Sequence, residues 1–355
     1  MIIGVDAGAL SITDDRLKVG VYRVTKNALT TLASIDNINN YRLYSFEAIE
    51  EGILNAFEGR AEVVQLPKLG WQRVWLPLQL NIHPVDAFLG FSQSLPSVHT
   101  LCDIGFIYDL GFLHEPEAYR RSAGTLKNQT SDLVRRANHI ITISEATKMD
   151  IIRSYGIPGE KIIVGYPGVN SRFSPAGATY TGTRPYFLFV GSLTKTKDIP
   201  TLLEAFAQFC KKNRFYDLML IGGDYWPDRE IGRAIGKLGL ENRVKRMGFM
   251  GDAQLPNYYR GATAFVTAAL WEGFCLPAVE AMACGTPVVA LDRGALKEVV
   301  GEGGIILRQT SGFAEAMGVM TDTKKRMDFS KRAVLQAKHY RWDLFAQRLL
   351  RALPS

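Results

Sequence analysis

From Tyr186 to Leu307 the chain alternates short apolar runs with longer stretches whose apolar residues recur every three or four positions. "YFLFVGSL" is followed by "TLLEAFAQFC", "DLMLIGG" by "DREIGRAIGKLG", "RVKRMGF" by "AQLPNYYRGA" and "TAFVTAA" by "WEGFCLPAVEAMACGTPVVA", and "GGIIL" ends the series. The first kind reads as buried strands and the second mostly as helices. Strand and helix in strict turn predict a parallel sheet with helices on both faces, a Rossmann-like α/β domain. The turns at Gly191, Gly222–Gly223, Gly248 and Gly273 all follow strands, so they are expected to converge beyond the strands' carboxyl ends, where such sheets bind ligands. The first half alternates less regularly but in the same style. "MIIGVDAG" precedes a helix through "VYRVTKNALTTLASI", and strands are expected at "YRLYSF", "AEVVQL", "DAFLGF", "SVHTLCDIG" and "HIITIS", with helices near 127–137 and at "ATKMDIIRSYG". A second domain of the same kind is the economical reading. The polar, Pro- and Gly-bearing "YPGVNSRFSPAGATYTGTRP" reads as a hinge-bearing linker. In the tail, Trp342, Phe345, Leu349 and Leu350 fall at helical spacing, so a last amphipathic helix must cover its own domain or cross back to the first.

Within "WEGFCLPAVEAMACGTPVVA" (271–290), Glu272 and Glu280 lie eight residues apart. On one helix they would point roughly 80° apart, so a loop, a short helix and a strand fit better. Pro277 suits a first helical turn, Gly285 a left-handed cap, and "TPVVAL" a buried strand. The amides of Gly273 to Leu276 then lie open at a helix N-terminus, a place that favours anions. A carboxylate nearby can accept two hydroxyl hydrogen bonds, as a ribose diol offers. The stretch predicts a pocket for a phosphorylated, hydroxyl-rich ligand, or else a capped helix with Glu280 solvated.

The 355 residues suit two domains of roughly 150 each, and 47% hydrophobic with 22% charged residues can build a core in both. "MIIGVDAGAL" opens as a strand without a basic leader, and no run of about 18 apolar residues occurs, so neither a secretory signal nor a membrane span is expected. Cys102, Cys210, Cys275 and Cys284 form no CxxC pair, and His83, His99, His114, His139 and His339 lack zinc-type spacing. A reduced, cytoplasmic chain with no metal or other cofactor is the expectation. The net charge of +7 is uneven: residues 1–170 hold 16 Lys and Arg against 18 Asp and Glu, the remainder 26 against 17. A basic second half suits nucleic acid, a diphosphate, an anionic lipid surface or plain solvent. No nucleic-acid motif accompanies it, so nucleic acid is not expected as a partner. "WQRVWLPLQL" (71–80) admits an interfacial membrane patch, with packing inside the first domain as the simpler alternative. Asn128-Gln129-Thr130 fits a glycosylation acceptor that a cytoplasmic chain would not use.

Set in this order, "ANHIITISEATKMDIIRSYGIPGEKIIVGYPGVNSRFSP", "YFLFVGSLTKTKDIPTLLEAF" and "MGFMGDAQLPNYYRGATAFVTAALWEGFCLPAVEAMACGTPVVALDRGALKEVVGEGGIIL" resemble the retaining glycosyltransferases of family 4, the group-1 glycosyltransferases of GT-B fold. The resemblance covers nearly the whole chain. It implies two Rossmann-like domains facing each other across a cleft: 1–171 for the acceptor, 172–338 for the nucleotide-sugar donor, and a helix in 339–355 crossing back to the first. It implies that Glu280 holds the ribose hydroxyls and that Glu272 lies near the sugar and its leaving group. The amides of Gly273, Phe274, Cys275 and Leu276 would meet sugar hydroxyls and phosphate. Lys197 would stabilise the departing diphosphate, Met247, Gly248 and Phe249 would meet the base, and Gly20 would let acceptor and phosphate approach. Gly191, Ser192, Lys195 and Gly222 complete the expected donor site.

Two departures accompany the resemblance. Tyr108-Asp109 stands where the family has His-Asp, so Tyr108 would offer one hydroxyl hydrogen bond in place of an imidazole. Ser192 and Thr196 stand where an arginine is usual, and Lys195 is the candidate substitute. The expected activity is transfer of a hexose from a nucleoside diphosphate to a hydroxyl acceptor with retention, without a metal. GDP-mannose is the favoured donor and a UDP-sugar the next. The acceptor would be a saccharide or lipid-linked saccharide for a surface polysaccharide, with peripheral contact at the inner face of the plasma membrane. The rival readings are a catalytically silent nucleotide-sugar-binding subunit and a polyanion-binding protein.

Overall fold

The computed structural model describes residues 1–18, 20–119, 122–223 and 229–354. They form two compact units, one of residues 1–113, 120–168 and 341–355, the other of residues 114–119 and 169–340.

The first unit holds β1 (Ile2–Asp6), β2 (Asn40–Ser45), β3 (Ala61–Gln65), β4 (Ala87–Gly90), β5 (Cys102–Ile107), β6 (His139–Thr142) and β7 (Ile162–Val164), all parallel in the order β3-β2-β1-β4-β5-β6-β7. Val5 sits opposite Leu43 on one side and Leu89 on the other, so the central strands are apolar on both faces and fully buried. The helix Gly20–Ile35 contributes Val24, Ala28, Leu29 and Leu32 to the core, the spacing of one helical face. Beside it packs the last helix, Trp342–Arg351, whose Phe345 and Leu349 are buried. Ser144 caps the helix Glu145–Tyr155 by accepting from the Thr147 amide, and Gly156 closes it in the left-handed conformation.

The second unit holds β8 (Tyr186–Val190), β9 (Asp217–Ile221), β10 (Val244–Gly248), β11 (Ala264–Thr267), β12 (Val288–Leu291) and β13 (Gly304–Leu307). Their order, β10-β9-β8-β11-β12-β13, is the doubly wound arrangement that reverses direction between β8 and β11. The expected Rossmann-like α/β architecture is therefore present in both units. Asp198 caps the helix Ile199–Cys210, which buries Ile199, Leu202, Leu203, Phe206 and Phe209 in the core. Fully burying such a side chain contributes roughly 1.5–3 kcal/mol.

Several elements differ from the pattern reading. The strand expected through "SVHTLCDIG" begins only at Cys102, because Asp103 accepts from the Thr100 amide and hydroxyl and folds the preceding residues into a turn. Two helices, Phe313–Thr321 and Thr323–Ala337, follow β13 without a sequence expectation. The second is mostly exposed and polar, so it carries little apolar periodicity. The helix expected from Asp228 is seen from Arg229; Asp228 lies outside the described residues. Residues 71–82 form one π-helical turn followed by an α-helix with Pro77 in its first turn. Only Trp71, Leu76, Pro77 and Leu80 of this segment are buried, so packing into the unit accounts for just one of its faces.

One constraint sets how β8, β9 and β10 end. Gly222 has φ +151°, and a Cβ there would lie 1.9 Å from the Gly191 carbonyl oxygen. Ala at Gly222 should destabilise the unit by about 1–3 kcal/mol or more. Ala at Gly232, on an exposed helical position with open space around it, should stabilise by up to about 1 kcal/mol. Urea unfolding of both variants checks the contrast.

Candidate functional site

The chain closes the carboxyl end of the second sheet mainly with backbone. The Gly191 amide donates to the Ile221 carbonyl (2.9 Å), the Gly222 amide to the Gly248 carbonyl (2.8 Å) and the Leu193 amide to the Gly223 carbonyl (3.1 Å). β10 pairs Arg246 with Leu220 and then Gly248 with Ile221, leaving Met247 as the extra residue of a bulge. Gly248 and Phe249 beyond it are exposed. The structure thus joins Gly191, Gly222, Met247 and Gly248 in one bonded rim, with Ser192 at its edge.

After β8 the chain makes a short 3-10 turn, Lys195–Lys197, tied to the loop after β11 by the Leu270 amide on the Thr196 carbonyl (2.9 Å). That tie brings Lys197 to Glu272, Nζ to Oε1 at 2.5 Å, with both side chains largely withdrawn from solvent. Lys195 is exposed on the same turn. The expected helix is Leu276–Ala283, with Pro277 in its first turn and Gly285 just beyond its end at φ +81°. Phe274 buries its ring edge-on to Tyr340 (centroids 5.2 Å apart) and so anchors the loop that enters the helix. Among the described residues, the amides of Gly273, Cys275 and Leu276 donate no hydrogen bond. A helix N-terminus with open amides and a nearby ammonium is built for an anion.

Backbone strain marks the same place. Asp198 (φ 44°) and Cys275 (φ 74°) are two of the four described non-glycine residues with positive φ, and each caps a helix that opens on the Lys197–Glu272 pair. Such a conformation costs of order 1–3 kcal/mol, and residues held in it cluster at functional sites. The Cys275 thiol is buried, and burial pushes its pKa up, so it is no thiolate nucleophile. Glu280 is buried, and Tyr259 Oη donates to its Oε2 at 3.0 Å. The alternative of a solvated Glu280 is thereby excluded.

Three features here were not read from the sequence. Gly294 has φ +59°, and a Cβ on it would lie 2.1 Å from the Glu272 carbonyl oxygen, which also accepts from the Ala295 amide (2.8 Å). Its only signal is a glycine following a strand in "LDRGAL". Tyr259 positions Glu280, but a tyrosine in a helix gives no hint of that. His114 belongs to the second unit and stacks on Trp271, the residue before Glu272, with ring centroids 3.6 Å apart and planes 10° apart.

In the first unit, Tyr108 and Asp109 follow β5 and Gly20 opens its helix at φ +32°. Asp109 Oδ1 accepts from the Gly111 amide (2.8 Å), a local turn. The Tyr108 hydroxyl corrects the sequence expectation of an available donor. It is enclosed beside the Thr25 hydroxyl, with no hydrogen bond of ordinary geometry to either among the described residues. Burial, with Asp6 nearby, pushes the phenol's pKa up. Asp6, also missed from sequence, is buried at the end of β1, where it accepts from the Gly8 amide (3.0 Å) and more weakly from Gln72 (3.4 Å). Burial outweighs these bonds and raises its pKa.

Residues 174–335 match the family of glycosyl transferases group 1. Among curated proteins, the chain is 28% identical over 220 residues to an O-antigen chain mannosyltransferase B of Escherichia coli, a match covering 58% of each chain. Among solved structures it resembles a sucrose-phosphate synthase of Thermosynechococcus elongatus (TM-score 0.81, 17% identity, 99% of this chain and 97% of that one). It also resembles Anabaena HepE in complex with UDP and glucose (TM-score 0.72, 20% identity, 99% and 98%). These likenesses confirm the GT-B fold.

Two outcomes follow from the geometry. Gly294→Ala should displace Glu272 and weaken the Lys197 contact, lowering the stability of the unit by about 1–3 kcal/mol or more in urea unfolding. Asp6 binds a proton more tightly folded than unfolded, so stability should fall as pH rises above about 3.8 towards its raised folded pKa. Asp6→Asn should flatten that fall in urea titrations at stepped pH.

Proposed function

Residues 174–335 match the glycosyl transferases group 1, and from that premise we propose that the chain transfers a hexosyl group from a nucleoside diphosphate to a hydroxyl acceptor with retention of configuration. The carrying observation is the Lys197–Glu272 pair at the open amides of the helix Leu276–Ala283. In this reading the sugar C1–O bond to the diphosphate breaks while the acceptor oxygen bonds C1 from the same face. The acceptor proton passes to the departing phosphate oxygen. Negative charge builds on the diphosphate, and Lys197 with the amides of Gly273 to Leu276 stabilises it. No metal is needed for that task. Glu272 orients the lysine and faces the sugar, and Glu280, held by Tyr259, accepts from the ribose hydroxyls. Gly191, Ser192, Lys195, Gly222, Met247, Gly248 and Phe249 line the donor's diphosphate and base ends. Gly20, Tyr108 and Asp109 serve the acceptor side.

The donor proposed is GDP-mannose, supported by the mannosyl transfer in the name of the Escherichia coli relative; a UDP-sugar is second, as HepE was solved with UDP and glucose. The same relative's O-antigen context supports a lipid-linked saccharide acceptor at the inner face of the plasma membrane. No helix among the described residues is long and apolar enough to cross a membrane, so that contact would be peripheral. The enclosed Tyr108 hydroxyl favours one other reading, a nucleotide-sugar-binding subunit without turnover.

Incubation with radiolabelled nucleotide sugars and membrane lipid extract should show transfer that falls on the order of 10²–10³-fold in Lys197→Ala and Glu272→Ala. Tight donor binding without turnover in the wild type would establish the silent subunit. Transfer untouched by Lys197→Ala would overturn the proposed site. A thermal-shift screen with GDP, UDP, ADP and dTDP identifies the base, since a ligand of the native state raises the melting temperature.

A further inference from the structure

The segment Trp71–Ile82 is apolar on both sides. Trp71, Leu76, Pro77 and Leu80 are buried in the first unit, whereas Val74, Trp75, Leu78 and Ile82 point outward, joined by Leu69 just before the segment. Val74, Leu78 and Ile82 follow one another at four-residue spacing, one stripe of a helix. Their exposure runs from 47% for Leu78 to 59% for Ile82, with Leu69 at 91% and Trp75 at 37%. Apart from Met1, Ile2 and Ile38 at the start of the first sheet, the other exposed large apolar residues among those described are scattered singly along the chain. A surface helix that turns such an apolar stripe outward presents a face suited to a partner or a membrane.

The charge around the patch selects the occupant. No Asp or Glu occurs between Glu62 and Asp86, while Lys68 and Arg73 lie within that interval and both are exposed. The asymmetry is local, because residues 1–170 as a whole carry more acid than base. An apolar stripe whose own segment carries Lys68 and Arg73 and no carboxylate complements an anionic lipid surface, in which the stripe enters the acyl boundary and the cations meet headgroups; the nearest acid, Glu62, is paired with Arg42. Trp75 is prepared for that position: its indole Nε1 already donates to the Leu69 carbonyl (2.9 Å), so burying the ring in lipid leaves no N–H unpaired.

We propose that the exposed face of residues 69–82 docks the protein on anionic lipid bilayers. This deepens the membrane contact of the proposed function by naming its surface, yet it needs neither donor binding nor turnover.

Co-sedimentation of the full chain with vesicles of phosphatidylcholine, with or without phosphatidylglycerol, tests it. Binding should require phosphatidylglycerol. It should weaken by about tenfold or more in Lys68→Glu/Arg73→Glu and be lost in Val74→Asp/Leu78→Asp, whose altered side chains are exposed. The melting temperatures of both variants, followed by circular dichroism, should match the wild type and so show that they are folded. Because vesicle binding is read without any donor, a failed transferase assay leaves this result standing, and a failed vesicle assay leaves the donor site standing. Wild-type binding that both variants retain overturns the proposal. So does a wild type that ignores vesicles but sediments as a dimer that Val74→Asp/Leu78→Asp dissociates, since the face would then belong to a second copy.

Discussion

An ammonium and a carboxylate 2.5 Å apart at the open end of a helix are the interaction around which the second unit is arranged. An exposed ion pair is worth about 0–1 kcal/mol, and a buried one repays its desolvation only with good geometry and further hydrogen bonds. Stability is therefore a poor reason for this pair to exist. Its value is orientation: Glu272 holds the lysine where an anionic group would meet both the ammonium and the unpaired amides of the helix.

The parts that hold the pair are mostly backbone. Gly222 lies against the Gly191 carbonyl and Gly294 against that of Glu272, so close that neither has room for a Cβ. The Met247 bulge turns the end of β10 beside them. The left-handed Asp198 and Cys275 carry strain at the two helix entries. Side chains contribute from beneath: Phe274 against Tyr340 fixes the loop, and Tyr259 fixes Glu280. A site supported this way is preformed, which reduces the ordering that a ligand must otherwise provide.

The first unit shows the opposite economy. At the carboxyl end of its sheet, the Asp6 carboxyl is desolvated, and the hydroxyls of Tyr108 and Thr25 are enclosed beside each other with no hydrogen bond of ordinary geometry among the described residues. Unpaired buried polar groups cost about 1–3 kcal/mol each. On the same unit, a surface helix leaves one apolar face to solvent. Both features oppose stability, and the proposed lipid contact would cover the second.

The alternation from Tyr186 to Leu307 determined the second sheet almost strand by strand, because a buried parallel strand must be continuously apolar and its helix must be periodic. The same local chemistry determined the helix after Cys275, since Pro277 and Gly285 act only on their neighbours. The amphipathic tail left two packing choices open, and the tertiary structure set it beside the first helix. Tertiary structure alone decided the Lys197–Glu272 meeting, which spans 75 positions, and the part played by Gly294, whose glycine is required by a carbonyl 22 positions earlier in the chain. It also decided the fate of Tyr108 and of the face at residues 69–82, because burial belongs to the neighbours that surround a side chain. Periodicity records which residues must be hidden or bent, but not which distant atom hides them.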